Sequence, residues 1–165
     1  MAIREILGFG EPILEQKAKR VRSFGKELKK LADDMLETMR KAYGVGLAAP
    51  QVGEPLRLTV IEIPEEEPII LINPEVTEQK GERLVTEGCL SYPGYRGETT
   101  RSETVKVKAL DLNGEKMRIK ADGLLAQVLE HEIDHLNGIL YTNRLVDKDK
   151  LYKIEMIPDP DQREI

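Results

Sequence analysis

The sequence has few of the residues on which several common protein classes depend. Its 165 residues include one cysteine, two histidines and no tryptophan, and 30 Asp and Glu outnumber 25 Lys and Arg. A single cysteine excludes an internal disulfide and fits a reducing compartment. The net charge of -5 gives no reason to expect direct nucleic-acid binding by a basic face.

Long hydrophobic runs are also missing. No apolar stretch approaches the roughly 20 residues that a membrane-spanning helix needs, so we expect no membrane partner. The first residues include an acid, Glu5, and no basic start followed by a long apolar run, so we expect no secretory signal. These absences favour a cytoplasmic protein of bacterial type, with the mature form of an organellar protein as the alternative.

The apolar pattern predicts two helices within one domain. The length favours a single domain over residues 1–165, with a short irregular tail from about residue 146. Apolar residues at spacings of three and four predict helices over 26–43 and 123–136, each followed by a glycine stop signal. On the second helix, the residues at spacings of four, three and four that begin with Leu124 form a stripe that is expected to face the core.

Alternation and turn residues predict strands between these helices. Strands are expected over 56–63 and 83–86, and a buried strand over 69–72 is expected to end at Asn73-Pro74. Residues 99–120 are typical of a hairpin that turns at Asn113-Gly114.

Both histidines lie in His131-Glu132-Ile133-Asp134-His135. Residues four apart share a helical face, so the two imidazoles can bind one metal ion while Glu132 lies beside the open coordination position. This is the helical pattern of a metallohydrolase. Taken alone, a pentapeptide match also allows a partly buried structural histidine pair.

A catalytic site of this kind usually has three protein ligands and one position for water. Tyr141 occupies the position of the third histidine in the extended HExxHxxGxxH pattern. Glu155 and Glu164 offer carboxylates in the tail, in no helix that the pattern supports. Cys89, set after Glu87-Gly88 at a strand end, is the remaining soft donor.

Three segments together resemble the peptide deformylase family. They are GVGLAAPQ (44–51), EGCLS (87–91) and HEIDHLNG (131–138), in the family's order and with similar separations. Each is modestly specific alone, but the set is highly specific, and the resemblance extends from about Ile6 to Arg144. It implies an α+β fold in which mixed and antiparallel sheets wrap around a central metal-binding HExxH helix.

The resemblance also implies a reaction and roles for individual residues. The reaction is metal-dependent removal of the N-formyl group from formyl-methionine of newly made polypeptides, releasing formate. Cys89, His131 and His135 would bind the metal, a metal-bound water would be the nucleophile, and Glu132 would be general base and then general acid. Gln51 and the backbone N–H of Leu90 would hold the formyl oxygen. The expected substrate-binding residues are Val45, Gly46, Val85, Arg96, Leu124 and Val128.

Ligand chemistry and family resemblance favour different metals. Two imidazoles and a thiolate by themselves favour zinc. The resemblance implies one Fe(II) per chain as the native metal, with Zn(II), Ni(II) or Co(II) as possible substitutes. The expected partners are formyl-methionine nascent peptides at the ribosome, and we expect a monomer.

Several neighbouring positions carry further expectations. Glu87 could pair with Arg101 and stiffen the cysteine segment, and Asp134 could orient a neighbour without touching the metal. Glu130 stands where many family members have Gln. The short tail, with Ile157-Pro158-Asp159-Pro160, disfavours the C-terminal helix with which some members dock on the ribosome. The alternatives are another metal amidase or peptidase at the same residues, and a binding module that has lost catalysis.

Overall fold

Two helices and two sheets make up residues 2–154, the part of the chain that the computed structural model describes. The helices are α1 (Lys26–Lys41) and α2 (Gly123–Leu136). The strands are β1 (Gly46–Ala48), β2 (Leu58–Ile61), β3 (Ile69–Lys80), β4 (Arg83–Glu87), β5 (Tyr95–Arg101), β6 (Thr104–Leu110), β7 (Lys116–Asp122) and β8 (Tyr152–Lys153). Short 3-10 helices lie at Pro12–Glu15, Ala49–Val52 and Tyr141–Arg144.

The strands form a five-stranded sheet, β1-β2-β3-β6-β7, and a three-stranded sheet, β4-β5-β8. Every pairing between these strands is antiparallel, so the expectation of a mixed sheet is wrong for residues 2–154. Lys19 and Leu56, outside these strands, form a parallel bridge. Short turns join most neighbours, which favours antiparallel pairing.

Three predicted boundaries are wrong. Strand β3 does not end at Asn73-Pro74, because a register shift between Ile72 and Glu75 accommodates both residues and pairing with β6 resumes. Residues 99–101 belong to β5 in the other sheet, so the hairpin comprises only β6 and β7. Residues after 146 are not wholly irregular, since β8 pairs with β5. The predicted features at Glu155, Glu164 and 157–160 lie outside the described residues.

Helix α1 covers one face of the five-stranded sheet. Its apolar residues at spacings of three and four are buried against β1 and β2, as the pattern predicts. They are Leu28, Leu31, Met35 and Met39.

Helix α2 lies between the sheets and is buried along almost its whole length. Every residue from Ala126 to Leu136 is buried, whereas Leu124 is 42% exposed, so the core-facing stripe does not begin at Leu124. Its buried stretch includes six polar side chains. Since buried polar groups need partners or a ligand, the helix is the place to look for a functional site. No helix within residues 2–154 has the length and apolar character to cross a membrane.

Candidate metal centre

Three buried side chains bring metal-binding atoms together at the centre of the fold. One ligand atom each from Cys89, His131 and His135 lie within 4.8 Å of one another, and each residue is at most 2% exposed. The histidines lie one turn apart on α2, as their spacing predicts, and Cys89 follows the end of β4. The Cys89 Sγ and His135 Nε2 atoms are 3.2 Å apart. A thiolate and two imidazoles suit a divalent transition metal, so the residues present fit a metal ion.

Glu87 sets the orientation of one of these histidines. Its Oε1 lies 3.0 Å from His131 Nδ1. A carboxylate at Nδ1 favours the tautomer with the proton there, which leaves Nε2 as the metal-binding atom.

The Glu87 carboxylate is itself held by buried donors. Thr99 Oγ1 donates to Oε2 at 2.6 Å, and Arg101 donates from Nε and Nη2. Burial would raise the pKa of Glu87, but His131, Arg101 and Thr99 outweigh it and lower the pKa to about 2. The carboxylate therefore stays ionised opposite His131.

Arg101 connects this pair to a second carboxylate. Its Nη1 donates to Asp134 Oδ2 at 2.8 Å, and Arg144 also binds Asp134, through Nη2 to Oδ1 at 2.9 Å. The predicted Glu87–Arg101 pair is thus present and buried, and not a solvated surface pair. Asp134 contacts the arginines and is not among the clustered metal-binding groups.

Replacing Glu87 with glutamine should weaken both folding and metal binding. The change removes one of the two carboxylates that pair with buried Arg101, and breaking a buried ion pair costs about 3 kcal/mol. Loss of a carboxylate behind a histidine ligand typically lowers metal affinity about 10–100-fold. Urea unfolding of the metal-free protein and zinc competition with a chelator measure the two effects.

The matched control is Glu78→Gln on the surface of β3. Glu78 pairs with exposed Lys106 and Lys80, and such pairs contribute less than about 1 kcal/mol. Equal stability losses in the two variants would contradict the structural role of Glu87.

The Glu132 carboxylate is buried and has no hydrogen-bond partner in the described part of the chain. Within residues 2–154, neither of its oxygens accepts a hydrogen bond, and the residue is 0% exposed. Burial raises the pKa of Glu132 to about 7; His131 and Arg101 lower it, while Glu87 and Asp134 raise it. A carboxylate left without partners in a fully buried position is available to exchange a proton with a ligand.

Gly46 creates the space that this carboxylate occupies. A Cβ atom at Gly46 would lie 2.4 Å from Glu132 Oε2 and 3.0 Å from Val128 Cγ1. Any side chain at position 46 would therefore displace the Glu132 carboxylate. Strand β1, which includes Gly46, is the outer strand of the five-stranded sheet, with β2 as its only strand neighbour in residues 2–154.

Gln51 lies beside the cysteine with its amide group held at both ends. Its Oε1 accepts from the backbone N–H of Ala48 at 2.9 Å, and its Nε2 donates to Ser91 Oγ at 3.0 Å. The same Nε2 lies 3.5 Å from Cys89 Sγ. The 3-10 helix at Ala49–Val52 thus fixes a side-chain N–H donor next to the metal-binding atoms. Leu90 follows Cys89 directly, and its side chain covers Gly44.

The predicted substrate-binding residues occupy different environments. Val45 and Val128 are buried in the same apolar cluster. Val85, on β4, and Arg96, on β5, are partly buried. Leu124 lies in the exposed first turn of α2, where it borders a cavity whose wall also includes Ile63 and Lys120. The structure therefore brings Val45 and Val128 together in a buried cluster, whereas Leu124, one helical turn before Val128, is exposed.

Sequence patterns missed several residues around the centre. Ser91 fixes the Gln51 amide and Thr99 binds Glu87, yet neither position carries a signal of its own. Tyr141 is buried, packs in a cluster with Cys89, and has its ring centroid 6.2 Å from that of His131. It therefore contributes a wall of the site and not a third helical ligand.

Glu130 and Glu132 flank His131, but only the Glu130 carboxylate has hydrogen-bond partners within residues 2–154. Glu130 accepts hydrogen bonds from the Ser102 backbone N–H at 2.7 Å and from Gln79 Nε2 at 2.6 Å. The Glu130 carboxylate is thus held by Ser102 and Gln79 and not by the metal-binding residues.

Comparison with known proteins gives a consistent result. The family model for polypeptide deformylase matches residues 3–151. The peptide deformylase of Dehalococcoides mccartyi strain CBDB1 is 54% identical over 155 residues, 93% of each chain. The crystal structure of a peptide deformylase from Legionella pneumophila has a TM-score of 0.85 and 48% identity, covering 87% of this chain and 86% of that one. A Synechococcus elongatus peptide deformylase in complex with actinonin has a TM-score of 0.86 and 41% identity, covering 88% and 82%.

Proposed function

Because the chain belongs to the peptide deformylase family, and is therefore a metal-dependent hydrolase of N-formyl peptides, we propose that Cys89, His131 and His135 form its catalytic metal site. The observation that carries this assignment is the convergence of these three buried donors beside the unpartnered carboxylate of Glu132.

We propose ferrous iron as the native metal, with zinc, nickel or cobalt able to replace it. A divalent cation supplies Lewis-acid chemistry, polarising the formyl carbonyl and making water a stronger nucleophile at neutral pH. Cys89 and His135 approach within 3.2 Å, and His131 is fixed through Glu87. These contacts hold the three donors close together.

Glu132 is proposed to carry the proton during amide hydrolysis. Its carboxylate accepts a proton from the water that attacks the formyl carbon. It then delivers that proton to the leaving amine nitrogen as the C–N bond breaks, so formate and a free amino terminus are produced. The absence of a protein hydrogen-bond partner within residues 2–154 leaves both oxygens free for this exchange.

Gln51 and the Leu90 backbone N–H are proposed to stabilise charge on the formyl oxygen. Gln51 is suited to this because Ala48 fixes its Oε1, which directs its Nε2 toward the Cys89 side of the site. Removing one such donor typically raises the barrier by about 3 kcal/mol.

The substrate is proposed to add as an extended strand along the edge of β1 at Val45 and Gly46. The outer position of β1 leaves an edge available for main-chain hydrogen bonds. Val45, Val128, Val85 and Leu124 are proposed to line the methionine pocket, and Arg96 to lie near the rest of the peptide.

Substituting Gly46 with alanine should lower turnover by about 100-fold, because displacement of a catalytic group by about 1 Å commonly has that effect. The added methyl would overlap Glu132 Oε2 at 2.4 Å. Steady-state formate release by the metal-loaded variant measures the loss. Gly25→Ala is the matched control, since a Cβ there meets nothing within 4 Å. Equal activity of the two variants would contradict the positioning of Glu132 by Gly46.

The decisive assay is anaerobic release of formate from formyl-Met-Ala-Ser by metal-reconstituted protein. Release of formate from the formyl group, with no cleavage of internal peptide bonds, supports the proposal. Cleavage of unformylated peptides without formate would favour a different metal amidase. A fully metal-loaded protein without either activity would favour a binding module.

The cellular setting follows from the substrate and is also proposed. The chain would act as a monomer in a bacterial-type cytoplasm on formyl-methionine nascent peptides at the ribosome. Actinonin, which is bound by the Synechococcus elongatus relative, is expected to inhibit the formate-release assay.

A further inference from the structure

Basic residues are concentrated in one part of the chain. Residues 17–30 contain seven of the 25 Lys and Arg but only one of the 30 Asp and Glu. The net charge of -5 conceals this asymmetry, which matters because a local field depends on the charges nearby and not on their sum over the chain.

A cavity of about 670 Å³ next to the C-terminus of α2 is lined by two of these cations and by one from another segment. Lys17, Arg20 and Arg57 lie in its wall. Arg57 donates to Leu136 O at 2.8 Å and to Asn137 Oδ1 at 3.0 Å, which are neutral acceptors. These bonds fix the guanidinium but use only part of its five donors. Burial lowers the pKa of Arg57; Glu75 raises it, and the nearby charge of Arg20 lowers it further.

The acidic residues in the same wall are Glu75, Glu130 and Asp134. Glu130 accepts hydrogen bonds from the neutral groups of Ser102 and Gln79, and the other two pair with cations. Glu75 pairs with Lys108 at 3.1 Å, and Asp134 is held by Arg101 and Arg144. The cavity therefore keeps an excess of positive charge around Arg20 and Arg57.

Arg20 also borders a second cavity, of about 350 Å³, with Lys108, Lys116 and Arg118. Lys108 and Arg118 face each other in the β6–β7 ladder, an arrangement of like charges that is destabilising. Glu75 offsets the charge of Lys108, but neither Lys116 nor Arg118 has an ion-pair partner within residues 2–154. An anion would relieve this repulsion.

The segment that carries Lys17 and Arg20 is held rigidly in place. The Ala18 backbone N–H donates to Leu136 O at 2.9 Å, and Lys19 exchanges backbone hydrogen bonds with Pro55 and Arg57. The backbone that carries these cations is therefore fixed, which reduces the backbone entropy lost on binding.

We propose that Lys17, Arg20, Arg57, Lys108, Lys116 and Arg118 form a track that binds the phosphate backbone of a single-stranded nucleic acid. Alternate residues on β7 are about 7 Å apart, a spacing that suits repeated phosphates better than one small anion. Within residues 2–154, neither cavity has an aromatic side chain in its wall, so binding would depend on the phosphates and not on base stacking. None of the large apolar side chains exposed in residues 2–154 borders either cavity, which favours a nucleic acid over a membrane surface.

The test is fluorescence anisotropy of a labelled oligouridine titrated with the zinc-loaded full chain at several salt concentrations. The logarithm of the binding constant should fall with the logarithm of salt by about 0.7 for each phosphate contacted. The variant R20E/K116E/R118E should bind at least about tenfold more weakly at low salt, with the slope reduced by about 2. Its formate-release activity should equal that of the wild type, because none of the three residues lies at the metal site.

The control variant K41E/K148E/K150E changes the net charge equally on exposed residues away from both cavities. It should bind oligouridine nearly as tightly as the wild type. Equal weakening in the two variants would overturn the track, since only overall charge would then matter. Absence of salt-dependent binding by the wild type would also overturn it, as would binding to vesicles of anionic phospholipid without binding to oligouridine.

Discussion

Replacing Glu132 with glutamine should lower the turnover of formyl peptides by about 10²–10⁴-fold, the usual contribution of a general acid–base group, while the metal stays bound. Glutamine keeps the shape of the side chain but cannot accept and return a proton. The Glu132 side chain makes no hydrogen bond within residues 2–154, so the change removes no structural partner. Because an uncompensated buried carboxylate is costly, the metal-free variant should be at least as stable as the wild type.

Single-turnover formate release, metal analysis and urea unfolding together test this expectation. Glu130→Gln is the matched control, because Glu130 lies on the other side of His131 and binds Ser102 and Gln79. It should retain most of the activity. Full activity of the Glu132→Gln variant would contradict the proposed proton transfer, and an equal loss in both variants would indicate a general effect of charge near the metal.

Substituting Cys89 with alanine should reduce zinc affinity by more than about 100-fold, since changes in groups that merely support metal ligands already cost about 10–100-fold. Cys89 Sγ lies 3.2 Å from His135 Nε2 in the centre of the donor cluster. Formate release should be lost with the metal. A metal present at about 100 times its dissociation constant stabilises the folded state by about 2.7 kcal/mol. Zinc should therefore raise the melting temperature of the wild type but not that of the variant.

Ser91→Ala provides the control for Cys89, because it lies in the same segment and contacts Gln51 but not the donor atoms. It should keep the metal and the zinc-induced rise in melting temperature, with a smaller loss of turnover. A Cys89→Ala variant that bound zinc as tightly as the wild type would contradict the assignment of the thiolate as a ligand.

Much of the secondary structure could be predicted because it depends on local spacing. The bounds of α2, 123–136, agree with the prediction. Helix α1 ends at Lys41, two residues before the predicted end at residue 43. The β6–β7 hairpin turns at Asn113-Gly114, where Gly114 has a φ of +78°. The predicted end at Asn73-Pro74 was wrong because pairing with β6, a long-range interaction, continues the strand beyond the proline.

The sequence by itself determined the ligand candidates, because only two histidines and one cysteine exist and the helical period places the histidines on one face. Only the tertiary structure decided what surrounds them. It brings Glu87 to His131 across 44 positions of sequence and Gly46 against Glu132. It also gives the Glu130 carboxylate hydrogen-bond partners while the Glu132 carboxylate has none within residues 2–154. It brings Arg20, Arg57 and Arg118 to adjoining cavities. Periodicity encodes the direction of a side chain within its own element, whereas these contacts depend on how distant elements pack.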